Sequence, residues 1–182
     1  MRTHSLWRWA STLTGAVLSI AVSGCFSSRA PLIGPAESLK MFGDAGRAKR
    51  VSYSAMGGGP IAEAIAFTWL ENGYVITDAR GRREPLHYRL TPLKGEWFVT
   101  QRAEPGGVDY GLARRIGDQL YVYAPQCLDF NDADRAALGL RVTPEGTCLI
   151  QSGAQLRAAM SLVAARNPQP EGYYEMVVPT RP

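Results

Sequence analysis

The chain has 182 residues, 20 of them basic and 16 acidic, 46% apolar overall, with two histidines. No basic stripe occurs, so no segment reads as a nucleic-acid surface. A chain of this length is expected to form a single domain. In chain order, Arg2 and Arg8 come first and no acid precedes Glu37. A 13-residue apolar run follows, Ala10 to Val22, and small residues then lead to Cys25. The order is that of a secretory leader, and the run is shorter than the roughly 20 residues of a spanning helix.

Val22-Ser23-Gly24-Cys25 resembles the lipobox of bacterial lipoproteins. The resemblance covers residues 1–25. It implies a signal peptide, 1–24, cut before a cysteine whose sulfur and new amino group carry acyl chains. Several chains together hold a protein firmly on a bilayer, at about 0.8 kcal/mol per buried methylene. Phe26, rather than Asp, follows the cysteine, which in that family implies the periplasmic face of the outer membrane. The inner membrane and the cell surface are the alternatives. Without the leader 158 residues remain, and removal of Arg2 and Arg8 leaves 18 basic residues against 16 acids.

Residues 25–46, rich in Ser, Pro and Gly, read as a lipidated cysteine and a tether reaching at most about 70 Å. Pro35 to Phe42 could add a helical turn. Residues 47–182 read as one β-rich domain. Gly73, Gly95 and Gly117 recur at 22-residue intervals, each between strand-like runs. Asn72-Gly73 suits a type I′ hairpin and Gly117-Asp118 a type II′ one. Phe67 with Trp69, Tyr88 with Leu90, and Tyr121 with Tyr123 alternate as on a half-buried sheet. Pro92 belongs at an edge or beside a turn. A short helix is expected at Asp134–Leu138. A clearer one follows Ser152, whose stripe is Leu156, Met160 and Val163 and which stops at Asn167-Pro168. A final strand runs from Tyr173 to Val178. The fold class is α+β, mainly antiparallel β: a β-meander sandwich or barrel-like sheet with one C-terminal amphipathic helix.

If Cys25 is acylated, Cys127 and Cys148 form an even pair, and an oxidising compartment favours a disulfide. Two free buried thiols or two metal ligands are the rival readings. A metal site needs more partners, and His87 is the sole histidine after the leader. No GxSxG, HExxH, Walker or GxGxxG motif occurs, so no catalytic residue, metal or cofactor is assigned and His87 reads as structural. Asp129 to Asp134 looks briefly like a calcium loop but has Ala133 at its fifth position and no sixth-position glycine. It reads instead as a helix cap. Gly57-Gly-Gly-Pro60 reads as a plain loop. Arg80, Arg82, Arg83, Arg114 and Arg115 are candidate contacts for an anionic envelope component or an envelope protein. Three functions follow: a non-enzymatic, membrane-anchored binding module of the envelope; a lipocalin-like carrier with an apolar cavity against Leu156 and Met160; and a hydrolase built on two inward carboxylates.

Overall fold

The computed structural model describes residues 26–53, 59–104 and 107–177. Its strands are β1 (Phe26–Ser28), β2 (Ala45–Ser52), β3 (Ile61–Leu70), β4 (Gly73–Asp78), β5 (Arg83–Lys94), β6 (Trp97–Glu104), β7 (Gly107–Ile116), β8 (Gln119–Tyr123), β9 (Arg141–Val142), β10 (Cys148–Leu149) and β11 (Gly172–Val177). The helices are α1 (Asp132–Leu138) and α2 (Gly153–Ala165). From β2 to β8 the chain is an antiparallel meander, and β11 inserts between β8 and β2 to close it. β6 pairs with both β5 and β7, so eight strands form a closed barrel. Closure removes the exposed edges that an open meander would leave.

Three tight turns mark one end of the barrel. The first is centred on Glu71 and Asn72, both at positive φ, and not on Asn72-Gly73 as the sequence suggested. Gly73 already belongs to β4, where an added Cβ would lie 2.5 Å from the His87 ring and 2.8 Å from the Tyr88 carbonyl oxygen. Its glycine permits close approach and not a turn. The other two turns carry Gly95 and Gly117 at positive φ. Pro92 lies at the irregular end of β5 beside the second of them. The longer β2–β3 and β4–β5 connections leave the barrel at the opposite end.

Alternation gives the wall two buried faces. Inward residues include Ile65, Phe67, Tyr74, Ile76, Leu90, Phe98 and Leu120. The outer face of β6 and β7 is covered by α2, which buries Leu156, Ala159, Met160 and Val163 against Val99 and Leu112. That outer layer is closely filled: Val99, Leu112, Ala159 and Met160 are 0% exposed. α2 starts with Ser152 accepting the Gln155 amide, and α1 starts with Asn131 accepting the Asp134 amide. The Asp129–Asp134 stretch is thus a cap and helix start.

The tether expected over 26–46 is instead part of the fold. β1 pairs with β10 on one side and β7 on the other, and Phe26 is fully buried against Phe130, with ring centroids 5.3 Å apart. Ile33 is also buried, and the Leu32 and Ile33 amides both donate to Gln101 Oε1. Apolar residues spaced through a Pro- and Gly-rich stretch found partners that local composition could not reveal. The predicted turn survives only as a 3-10 turn at Pro35–Glu37. Cys25 and the lipobox lie outside the described residues, as do Gly57, Gly58 and Val178.

Candidate functional site

Phase along the strands decides what the barrel contains. Glu63 is in register with Ile65 and Phe67 on β3, and Arg102 with Phe98 and Thr100 on β6. Both therefore turn inward, as does Arg50 opposite Glu63 on β2. A cavity of about 450 Å³ remains inside, within the roughly 300–1,000 Å³ range of small-molecule sites.

Its two halves differ. Towards the tight turns the lining is apolar, with Phe67, Ile76, Leu90, Leu120 and Met176. Phe42 closes this end, stacking edge-on to Phe67 at 6.0 Å and lying 5.8 Å from Tyr74. The segment is held by its backbone: Phe42 N donates to the Tyr74 hydroxyl at 2.7 Å, Leu39 N to the Leu90 carbonyl, and Trp69 N to the Asp44 carbonyl.

Towards the long connections the lining is ionic. Arg50 Nε donates to Glu63 Oε1 and its Nη1 to Glu84 Oε1, each at 2.7 Å. Arg102 Nη2 donates to Asp109 Oδ2 at 3.0 Å. Tyr88 donates to the second oxygen of Glu84 at 3.3 Å. Burial disfavours the charge on Arg50, but its bonds to Glu63 and Glu84 prevail and hold its pKa above the ordinary guanidinium value. Burial raises the pKa of Tyr88 and Tyr174, so both phenols stay protonated. Glu171, at the lip, is also raised by burial, with Arg102 opposing.

The residues singled out in the sequence lie elsewhere. Cys127 and Cys148 form a disulfide with Cα atoms 5.3 Å apart, in the outer layer beside Phe26. Arg80 and Arg82 sit on the β4–β5 connection and Arg83 begins β5, at the open lip, where Asp78 binds Arg82 at 2.7 Å. Arg114 and Arg115 are at the opposite end, near the β7–β8 turn. Arg114 lies over the Trp97 ring at 5.3 Å, and Arg115 donates to the Gly117 carbonyl. The two arginine clusters therefore do not form one surface. His87 points outward and bonds the Leu70 carbonyl at 2.7 Å. No group of three His, Cys, Asp or Glu residues among the described residues could hold a metal.

Leu156 and Met160 do not line this cavity, which is on the other side of the wall. Inward carboxylates are present, as a hydrolase would need, but Glu63 and Glu84 are both committed to the same arginine. No family model matches the chain, and neither a curated protein nor a solved structure does. Among the described residues no helix is long and apolar enough to cross a membrane.

Proposed function

We propose that this chain is a lipid-anchored protein of the bacterial envelope whose barrel takes a small amphipathic ligand into its interior, binding it without transforming it. The observation that carries the reading is the divided cavity, apolar and closed at the Phe42 end, ionic at the end of the long connections. Such a space favours a molecule with an apolar body and a polar head, because each half satisfies one part of it. The anchor reading rests on residues 1–25, placed at the periplasmic face of the outer membrane by the lipoprotein resemblance.

Leu120→Trp tests the ligand reading. An indole at this inward position fills the apolar half while β8 keeps its backbone pairing. Wild-type protein is expected to carry a small molecule visible by native mass spectrometry, or to take up a fluorescent amphiphile. Leu120→Trp is expected to lose it with its circular dichroism unchanged. Equal uptake by both proteins refutes the reading. For the anchor, Cys25→Ser should move the protein from the membrane to the soluble fraction. An unacylated mature terminus in the natural protein ends that proposal.

Burial of Phe26 sharpens the anchor. One peptide bond separates acylated Cys25 from a residue fixed in the sheet, so the barrel rests at the bilayer surface with no spacer.

A second reading, docking of an envelope protein, is favoured by an outward aromatic row. Tyr53 is 45% exposed, Tyr173 lies 6.3 Å from it, and Tyr121 lies 5.4 Å beyond. Tyr53→Ala should weaken crosslinking to such a partner in cells while leaving amphiphile uptake intact; unchanged crosslinking refutes docking through this row.

A further inference from the structure

We propose that the head group of the ligand is cationic, an amine-type donor seated among the carboxylates at the open end of the barrel. The inference rests on the ligand-binding reading above and specifies the chemistry of that same site.

Three carboxylates line the ionic half, Glu63, Asp109 and Glu171, with Glu84 beside them on Arg50, against two inward guanidiniums, Arg50 and Arg102. Arg89 also borders the cavity, but it pairs with outward Gln101 and its guanidinium donates to the Ile33 carbonyl. Both guanidiniums are engaged by carboxylates: Arg50 by two, Arg102 by Asp109. An incoming carboxylate would have to displace one of these partners, leaving an acid in the wall without its counterion. These pairs are only half-buried, so water replaces part of the lost counterion, but the displaced acid still gives up its hydrogen bonds. Acceptor capacity, by contrast, remains. Glu63 bonds Arg50 through Oε1 alone, and the Glu171 carboxylate takes no hydrogen bond from the described residues. An ammonium brings hydrogen-bond donors and a positive charge to this surplus. Tyr88 and Tyr174 add aromatic faces to the same half, which also favours a cation. Arg80, Arg82 and Arg83 stand at the rim, where Asp78 binds Arg82. They pull the other way, and the test must weigh them.

The test uses the mature chain and a matched alkyl series of decylammonium, decanol and decanoate, each below its micelle concentration, read by displacement of a fluorescent amphiphile. Decylammonium is expected to bind at least about tenfold more tightly than decanoate, a difference of about 1.4 kcal/mol. Glu171→Gln should shrink that preference at least about threefold without altering decanol affinity. Decanoate binding as well as or better than decylammonium overturns the inference, whichever way the rim contributes. If decanol and decanoate bind with no gain for the amine, only the head-group assignment falls. If no member of the series binds and Leu120→Trp changes nothing, the barrel reading falls with it.

Discussion

Gln101 sits on the outer face of β6 at 1% exposure, and its Oε1 accepts two amides from a segment 68 and 69 residues away in the chain. Replacing it leaves the buried Ile33 amide without an acceptor, while the Leu32 amide keeps the Tyr110 hydroxyl at 3.0 Å. One such orphaned group costs about 1–3 kcal/mol. Gln101→Ala is therefore expected to lower the urea midpoint clearly. Hydrogen exchange at Leu32 and Ile33 should quicken before exchange in the barrel does. Asp134 shows charge at the same scale. Its Oδ2 accepts from Arg166 at 2.6 Å and from the Asn131 amide, and these bonds hold its carboxyl below the usual range. A lowered folded-state pKa stabilises above the unfolded value, and that contribution is lost as pH falls through the folded one. Asp134→Asn should therefore lower stability most at neutral pH and progressively less as the pH falls through the folded-state value, flattening the acid limb of the stability profile. An unchanged acid limb would show that the Arg166 contact contributes nothing.

At the scale of elements, the outer layer is tied together by the Cys127–Cys148 bridge. Cys148 is opposite Phe26 across the β1–β10 pairing, so the bridge holds the strand that holds the N-terminal segment. Its sequence separation is 21 residues, and the chain-entropy account gives a loop of this size about 3 kcal/mol. The double change Cys127→Ser, Cys148→Ser should lower stability by about that amount. It should also expose β1 to protease while the meander persists, as read by cleavage mapping. Loss of α2 packing is costlier in kind: Met160 is wholly buried between helix and wall, and Met160→Ala should destabilise by about 2–5 kcal/mol.

For the molecule as a whole, β11 is the strand that makes a barrel of a meander. It pairs with β8 over Gly172 to Glu175 and with β2 over Gly172 to Val177. An alanine at Gly172 would place its Cβ 2.2 Å from the Val51 carbonyl oxygen, so the closing strand starts where no side chain fits. Gly172→Ala should loosen the seam and reduce amphiphile retention more than any single change on the outer face. A variant ending at residue 171 should lose cooperative unfolding by urea. Retention of a sharp transition in that truncated chain would mean that the meander is stable without closure.

Hairpins, alternation, the start of α2 at Ser152 and the pairing of two cysteines were legible in the sequence because each depends on residues close in the chain or on simple counting, whereas α1 begins two residues before the expected Asp134. Three decisive features were not. Gly73 sits beside a promising Asn, yet its role comes from the His87 ring on the next strand. Phe26 and Ile33 sit in a stretch with loop composition and are held by Phe130 and Gln101, far along the chain. The inward phase of Glu63 and Arg102 could be read from their strands, but not that Arg50, Glu84 and Asp109 would meet them across the lumen. Local rules and composition therefore determined the elements. Only the tertiary structure decided that the sheet closes, that the supposed tether is core, and that the interior is divided. Closure and burial depend on contacts between distant residues, whose free energy is absent until the chain has folded around them.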